Sequence, residues 1–413
     1  MSRRAHLSLH RPHRRSGRSV WLAVAVALAF VVVLVVVAAP LIKRAVLAPG
    51  KPAPDATFVA RPELDSEIAS LVIGSARAAP GATAYVLGSQ GYWLGAEGIA
   101  NLSTDETIHP DARMRLESVS KIFTATLILQ LDQQGKLHLT DTVQRWLPGL
   151  LPFYGSKITI RELLTMSSGL ISDSDLEGNR AKVVRELARI KDLRLRAQLI
   201  AVGKRAIANP AGEVDPIWPI RWAAWQPLLF APGTGYHYSN IGYNILGLIA
   251  ERATGKPLAT LYQQRIFTPL GLKHTAYDPQ GPIRGPHAHG YMIAPNGSIT
   301  DTTAWHHAKA ADGGIVSDAQ DTARFLIALM RGKLLDKQEL AGMKGENLWR
   351  GGDTSPCGGR AYGWGGAGEG FKTAVWVNGN GTRVAVLLTN ARHPPYGDQI
   401  VEEMRERLYC DAR

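Results

Sequence analysis

The stretch Glu117–Leu131, ESVSKIFTATLILQL, begins with a polar pentapeptide and continues as an almost entirely apolar run. Residues three apart on an α-helix lie about one turn apart on the same face, so Ser118 and Lys121 are predicted to point the same way. An apolar run of this length is typical of a helix buried on most sides, and we expect it to end near Gly135. Because Ser also caps helices and Lys favours them, the pair alone is only a candidate nucleophile and base.

A second polar group precedes another helix, within FAPGTGYHYSNIGYNILGLIAERATG at Phe230–Gly255. The first half of this stretch is rich in turn residues, and the second half has apolar residues at helical spacing. Tyr238, Ser239 and Asn240 are therefore predicted to lie on a loop that enters a helix. Loops held by rigid flanking elements often carry functional polar groups.

A third feature is the glycine-rich stretch AYGWGGAGEGFKTAVWVNGNGTRVAVLLTN, residues 361–390. It predicts a glycine-rich edge followed by a hairpin, with strands at Ala374–Val377 and Arg383–Leu388 joined by Asn-Gly-Asn-Gly. Glycines 363, 365, 366, 368 and 370 leave backbone uncovered, which favours the close approach of a ligand.

The rest of the chain predicts helices and strands around these three stretches. A helix at about 63–78 precedes two strands, ATAYVLG and GYWLGAEGIANL, and a last helix is expected at about 398–409.

The N-terminal 61 residues differ in composition from the rest of the 413-residue chain. Val20–Ile42 contains 23 residues and no charge, long enough at about 1.5 Å per residue to cross the roughly 30 Å core of a bilayer. Six arginines and no acid precede it, so the positive-inside rule predicts a cytoplasmic tail at 1–19 and an extracytoplasmic remainder. Residues 43–61, rich in Pro, Ala and Gly, are expected to be a linker, and 62–413 the folded domain.

The formal net charge of +12 also originates mainly in this region. Residues 1–51 hold nine Lys or Arg and no acid, which leaves residues 52–413 with a net charge of only +3. A nucleic-acid partner therefore loses its main support, whereas contact of the basic tail with anionic membrane lipid is expected.

The two cysteines and the histidines give no sign of a metal site. Cys357 and Cys410 could form one disulfide in an exported domain, but sequence alone leaves the pairing open. His287, His289, His306 and His307 lie in turn-rich sequence without an acid at metal-ligand spacing.

Together the three motifs, S-x-x-K, Y-S-N and a glycine-rich strand in that order, resemble the serine β-lactamases, D,D-peptidases and related esterases, particularly the class C-like branch. The blocks GKLHLTDTVQRWLP, ITIRELLTMSSGL, TPLGLKHTAYD and ADGGIVSDAQDTARFL are also similar to that family. The resemblance covers most of 62–410 and is weak within about 171–229. It implies an α/β (α+β) fold with a central antiparallel sheet flanked by helices, plus an all-helical subdomain.

The resemblance also implies roles for individual residues. Ser118 would be the nucleophile, Lys121 would help to deprotonate it, and Tyr238, with Asn240 beside it, would be the second base and the acid for the leaving group. The oxyanion would be held by the backbone N–H of Ser118, at the start of a helix, and by that of Ala367. Neither a metal nor an organic cofactor is implied.

The third motif departs from the family pattern, because Trp364-Gly365-Gly366 stands where a Lys-Thr-Gly or His-x-Gly triplet is usual. Trp-Gly-Gly is similar to the triplet of the family VIII carboxylesterases. The competing triplet that begins at Lys372 is rejected, because Lys372 is predicted to begin the next strand. An indole has no positive charge with which to bind a substrate carboxylate. Arg360 or another basic residue could supply that charge instead.

Within the weakly matching region, residues 179–205 contain nine Lys or Arg and two acids. This segment is predicted to be part of the helical subdomain that overhangs the site. Its basic side chains suit either a solvated face or contact with lipid headgroups or an anionic wall polymer.

The sequence therefore predicts a membrane-anchored, extracytoplasmic serine hydrolase that acts on a small ester, peptide or β-lactam through an ester at Ser118. A carboxylesterase is slightly favoured over a D-alanyl-D-alanine carboxypeptidase or a β-lactamase. A catalytically silent protein that binds penicillin or senses wall fragments is the alternative from another class.

Overall fold

A seven-stranded sheet organises the fold, with helices on both of its faces. In the computed structural model the described residues are 56–72, 79–176, 188, 190–208, 217–279, 281–305, 310–345, 351–354, 357–393 and 398–411. The strand order is β3-β2-β1-β12-β11-β10-β9, and every pair of neighbours is antiparallel. The strands are β1 Gly81–Gly88, β2 Gly91–Asn101, β3 Glu106–Thr107, β9 Gly351–Thr354, β10 Arg360–Ala367, β11 Lys372–Asn378 and β12 Val384–Thr389.

Two small sheets of three strands lie beside the main one. In one sheet the order is β13-β6-β7 and in the other it is β4-β8-β5. Their strands are β4 Met114–Arg115, β5 Ala276–Tyr277, β6 Tyr291–Ile293, β7 Ile299–Asp301, β8 Ile315–Ser317 and β13 Ala391–Arg392.

The helices cover the faces of the sheet and form the helical part of the domain. They are α1 Pro62–Val72, α2 Ser120–Gln133, α3 Val143–Trp146, α4 Ile160–Leu164, α5 Leu193–Ala208, α6 Ile217–Ala223, α7 Asn240–Thr254, α8 Leu258–Tyr262, α9 Thr268–Leu270, α10 Ala319–Met330, α11 Lys337–Gly345 and α12 Asp398–Asp411. Glu117–Val119 and Asp173–Leu176 form single 3₁₀ turns, and Gln263–Phe267 a π turn. The architecture confirms the predicted central antiparallel sheet flanked by helices.

Helix α2 lies at the centre of the main core. Its residues from Ser120 to Leu131 are all buried, as expected of a helix that is apolar on every side. Phe123 stacks on Phe325 of α10, with ring centroids 3.6 Å apart. The helix ends at Gln133, close to the predicted end, and Gly135 has a φ of +63° that few other residues tolerate.

A second, smaller core lies on the opposite face of the sheet, under α1 and α12. It includes Trp93 and Trp376 from the strands, Leu64 from α1 and Leu408 from α12. Cys357 and Cys410 form a disulfide, which answers the pairing that the sequence left open and ties the segment before β10 to α12.

The predicted tail, membrane helix and most of the linker lie outside the described residues, as does most of the basic segment before α5. Within the described ranges, no helix is both long and apolar enough to cross a membrane. The boundaries 1–19, 20–42 and 43–61 therefore stay predictions.

Candidate active site

The turn before α2 brings Ser118 and Lys121 together. Ser118 lies in the 3₁₀ turn and Lys121 in the first turn of α2, and Lys121 Nζ donates a hydrogen bond to Ser118 Oγ at 3.1 Å. The sequence predicted one continuous helix here, whereas the structure has a tighter turn before the α-helix. The predicted pairing of the two side chains is nevertheless present.

The residue before the candidate nucleophile has an unusual backbone conformation. Glu117 is buried and has a φ of +53°, a region that residues with a side chain seldom adopt. Leu116 N donates to Ile315 O at 2.8 Å, and Val119 N donates to Leu116 O at 3.2 Å. Strand β8 and the core therefore fix the turn that presents Ser118, and such strained positions are frequent at functional sites.

Tyr238 is the second side chain at Ser118 Oγ. Its Oη lies 2.6 Å from Ser118 Oγ, and its ring centroid lies 4.9 Å from Lys121 Nζ. Tyr238 is on the loop before α7, as predicted, and Ser239 caps that helix by accepting a hydrogen bond from Gly242 N at 3.2 Å. The Ser118 hydroxyl thus contacts both of the side chains that the sequence predicts for proton transfer, Lys121 and Tyr238.

Lys121 has polar partners on its other side. It is 1% exposed, and its Nζ donates to Asp312 O at 2.9 Å and lies 4.0 Å from Asp312 Oδ2. Asp312 N in turn donates to Asn244 Oδ1 of α7 at 3.2 Å. Neither Asp312 nor Asn244 was predicted as a site residue, although Asp312 lies in the block ADGGIVSDAQDTARFL and Asn244 in Phe230–Gly255.

The Tyr238 loop is held by the segment Met166–Asp175, hereafter the 166–175 segment. His237 N donates to Met166 O at 2.9 Å, and His237 Nε2 lies 2.9 Å from Asp175 Oδ2. Asn240 N donates to Ser172 Oγ at 3.2 Å. Because these contacts lie on both sides of Tyr238, they fix the position of its hydroxyl.

Asp173 places a carboxyl group beside this site, which the sequence analysis missed. It accepts hydrogen bonds from the side chains of Asn240 and Ser172. Burial raises the pKa of the Asp173 carboxyl and the nearby Asp312 raises it further, against the hydrogen bonds and the charge of Lys121. The only sequence signal was the short Ser-Asp-Ser-Asp run at 172–175.

Strand β10 contacts the nucleophile turn through Gly366. A Cβ at this position would lie 2.3 Å from Leu116 O and 3.1 Å from Ser118 N, so only glycine fits. Ala367, the predicted oxyanion donor, is the next residue, at the end of β10. Trp364 is on the same face of β10 as Gly366, and its indole is buried in the main core. The structure thus brings β10 to Ser118, while the roles of Trp364, Gly366 and Ala367 stay predictions.

At two of the glycines the protein itself is the close neighbour, and the predicted approach of a ligand stays a prediction. Gly366 accommodates the Ser118 turn, and a Cβ at Gly363 would lie 2.8 Å from the indole of Trp376.

Neither Arg360 nor Lys372 is placed to replace the cation that the third motif lacks. Arg360 begins β10, and at about 3.3 Å per residue it lies roughly 13 Å along the strand from Trp364. Lys372 begins β11, as predicted, and pairs with Ala367 across the sheet, but its side chain is buried and already engaged in an interaction.

Two of the histidines considered for a metal site, His287 and His289, have protein partners. His289 Nδ1 lies 2.7 Å from Asp301 Oδ2, and His287 Nδ1 lies 2.8 Å from Gly285 O. His306 and His307 lie outside the described residues. Over the ranges that the structure covers, no group of three or more His, Cys, Asp or Glu could hold a metal ion.

The sequence was compared with protein families and with known proteins. Residues 56–408 match the family model described as Beta-lactamase. Esterase EstB of Burkholderia gladioli is 34% identical over 193 residues, which cover 46% of this chain and 44% of the esterase. Penicillin-binding protein 4* of Bacillus subtilis (strain 168) is 28% identical over 255 residues, 58% of this chain and 50% of that protein. The matched stretches thus span about half the length of these relatives.

Solved structures are similar over more of the chain. A D-stereospecific amidohydrolase from Streptomyces sp. has a TM-score of 0.70 at 25% identity, covering 84% of this chain and 98% of its own. A D-amino acid amidase from Ochrobactrum anthropi SV3 has a TM-score of 0.68 at 22% identity, covering 84% and 97%, which shows a shared fold. The family model matches most of the chain, and Ser118 Oγ contacts both Lys121 and Tyr238. The chain therefore belongs to the β-lactamase family of serine hydrolases.

Proposed function

We propose that the protein hydrolyses carboxylic esters through an acyl-enzyme at Ser118. The observation that supports this most directly is the contact of Ser118 Oγ with two proton-transfer groups, Tyr238 Oη at 2.6 Å and Lys121 Nζ at 3.1 Å. A serine hydroxyl becomes a strong nucleophile only when an adjacent group takes its proton. Both distances fall within the range required of such a group.

The reaction has two steps. In the first, Ser118 Oγ attacks the ester carbonyl carbon and its proton passes to the Tyr238 and Lys121 pair, which returns a proton to the leaving alkoxide. The products are an ester of Ser118 and a free alcohol. In the second step, water attacks that ester, the same pair takes the proton of the water and returns it to Ser118 Oγ, and the carboxylic acid leaves. In each tetrahedral intermediate, the backbone N–H groups of Ser118 and Ala367 stabilise the oxyanion.

Ester substrates are favoured over peptides that end in a carboxylate because of the third motif. Trp364 supplies no positive charge, Arg360 is remote and Lys372 is already engaged. Loss of a charge-assisted hydrogen bond, worth about 1.5 to 3 kcal/mol, weakens a carboxylate-bearing substrate by roughly tenfold to a hundredfold. The similarity to an esterase also supports this preference.

The test compares kcat/KM for a short-chain p-nitrophenyl ester, a D-alanyl-D-alanine peptide and a chromogenic cephalosporin. We expect the ester to be preferred and Trp364→His to raise activity on the peptide relative to the ester. Because Trp364 is buried, Trp364→Phe serves as the control for lost packing. A clear preference of the wild type for the peptide, unchanged in Trp364→His, would reject the ester assignment.

A D,D-carboxypeptidase or β-lactamase is the second candidate, supported by the similarity to a penicillin-binding protein. The amidases of similar fold make amide substrates a further case to include in the test. A silent binding protein is distinguished from any enzyme by a fluorophosphonate or penicillin probe. Absence of a covalent adduct on folded wild-type protein would favour the silent protein.

We further infer that residues 20–42 anchor the protein in the cytoplasmic membrane and that the domain from about Pro62 onward lies outside it. The uncharged stretch, the arginines before it and the Cys357–Cys410 disulfide support this arrangement, since disulfides persist mainly in oxidising compartments. Protease added to intact spheroplasts should remove the domain. Protection from protease, or a mature N-terminus beyond residue 42, would contradict the proposal.

A further inference from the structure

Asp173 is a carboxyl group in the candidate active site for which the proposed reaction has no use. It begins the 3₁₀ turn Asp173–Leu176 and is partly exposed. The Asn240 side chain, two residues from Tyr238, donates a hydrogen bond to it, as does Ser172 Oγ at 3.2 Å. A carboxylate has room for about four hydrogen bonds, so two donors leave it able to accept more.

In the described part of the site, the two basic side chains near Asp173 contact other acidic residues. Lys121 hydrogen-bonds to the Asp312 backbone and faces its carboxylate at 4.0 Å, and His237 contacts Asp175. The donors to Asp173 among the described residues, Asn240 and Ser172, are both neutral. Burial and the nearby Asp312 raise the pKa of Asp173, because both disfavour its negatively charged form. A positively charged ligand would stabilise that form.

The charge of the third motif, on strand β10, also differs from the usual pattern of the family. Strand β10 carries Trp364 at the position where the resemblance predicts a cation for a substrate carboxylate. One positive charge is thus missing at the third motif, while a carboxylate is present next to Asn240. Both differences favour a positively charged substrate over a negatively charged one.

We propose that Asp173 binds the protonated amino group of the acyl part of the substrate, so that the enzyme prefers esters of amino acids with a free amine. An ammonium has three N–H donors and the charge that the carboxylate lacks, and it forms short charge-assisted hydrogen bonds with carboxylates. This inference rests on the proposed ester hydrolysis and specifies its substrate class. It makes Asp173 a specificity-determining residue, whereas Ser118, Lys121 and Tyr238 carry out the bond changes.

The test uses two esters that differ only in the group Asp173 is proposed to recognise. Alanine methyl ester and methyl isobutyrate have nearly the same shape, with an ammonium in one where the other has a methyl group. Acid release by the full chain in detergent is followed at about pH 6.5, where the α-amino group is mostly protonated. Both enantiomers of the alanine ester are included.

For the wild type we expect kcat/KM to be roughly tenfold to a hundredfold higher for one alanine ester than for methyl isobutyrate. Asp173→Asn keeps the shape of the side chain but removes its charge and turns one acceptor oxygen into an N–H donor, and it should lower that ratio by the same factor. Asp175→Asn, two residues away, should change the ratio by less than about threefold even though it lowers both rates.

A second measurement separates recognition from turnover. 1-Aminoethylboronic acid and isopropylboronic acid have the same shape, and each can bond to a serine oxygen. We expect the wild type to bind the amino compound more tightly and Asp173→Asn to lose that difference.

Two outcomes would overturn the proposal. One is a wild type with no preference for the amino ester; the other is an Asp173→Asn variant that loses activity equally on both esters, which would make Asp173 merely structural. Failure of the proposed function looks different, since the wild type would then hydrolyse neither ester and form no Ser118 adduct with a fluorophosphonate.

Discussion

The two sides of the candidate active site are held in place by different kinds of interaction. On the sheet side, Ser118 is fixed by buried backbone contacts, with Gly366 packed against its turn and Leu116 bonded to Ile315. On the loop side, Tyr238 is fixed by hydrogen bonds from its neighbours His237 and Asn240 to the 166–175 segment.

Because of this difference, we expect the two sides to respond differently to substitutions. Close-packed backbone leaves no room for even one additional carbon atom, so the sheet side should respond steeply to steric change and little to pH. Hydrogen bonds between partly exposed groups are individually weak, so the loop side should respond in smaller steps to the loss of single partners.

The largest effect is expected where the two sides meet, at Tyr238. Tyr238→Phe removes the hydroxyl next to Ser118 Oγ and should lower the acylation rate by roughly 10² to 10⁴, the usual scale for a positioned proton-transfer group. Lys121→Met should lower the acylation rate by a factor of the same order. Intact-mass measurement of adduct formation with a slow ester gives the rate.

Tyr236→Phe is the matched control, because Tyr236 lies on the same loop and its hydroxyl donates to Met166 Sδ at 3.5 Å. An equal loss in both tyrosine variants would show that loop packing matters and not proton transfer. An adduct that persists in Ser118→Ala would instead reject Ser118 as the nucleophile.

The sheet side is tested by Gly366→Ala. The added methyl group would overlap Leu116 O and press on Ser118 N, so the nucleophile turn must shift, and we expect a loss of roughly 10²-fold in acylation. Gly363→Ala, on the same strand, meets the Trp376 indole instead and should lower thermal stability without a comparable loss of acylation. Unchanged acylation in folded Gly366→Ala would disprove the steric argument.

A smaller effect is expected on the loop side from Asp175→Asn. This change weakens the contact with His237, and we expect a drop of about tenfold or less in kcat as the Tyr238 loop gains freedom. Asp301→Asn alters a comparable His–Asp pair, with His289 in another part of the fold, and should leave kcat unchanged. Equal effects of the two substitutions would mean that the loop contact has no special role.

The smallest effect is a pH-dependent change in stability in Asp173→Asn. Because the pKa of Asp173 is raised on folding, the folded protein binds more protons than the unfolded chain, and stability falls as pH rises through the raised pKa. Asn cannot ionise, so the variant should melt about 1 to 3 °C higher than wild type at pH 7. The gain should disappear near pH 4, and a gain that is equal at both pH values would contradict this explanation.

The sheet side was largely predictable from the sequence, and the loop side only in part. The spacing of Ser118 and Lys121, the burial of α2 and the hairpin strands follow from local periodicity, which a single sequence shows. The loop before α7 was also predicted, together with Tyr238 as its functional residue.

The partners of that loop could not be predicted for a physical reason. Asp175 and His237 are 62 residues apart, and their contact depends on a chain path that no local pattern specifies. Asp173 lies where the resemblance to the family is weakest, so neither periodicity nor the motif could identify it. Gly366 was recognised as part of a motif, but the steric reason for a glycine there depends on the backbone of Leu116.

The Cys357–Cys410 disulfide closes a covalent ring that contains β10, β11 and β12, with a sequence separation of 53. A protease that cuts one peptide bond inside this ring adds one water molecule to the mass but releases no fragment. The two pieces separate on a gel only after reduction. Protease experiments on the domain therefore require reduced and unreduced samples side by side, because an unreduced sample conceals any one cut between Cys357 and Cys410.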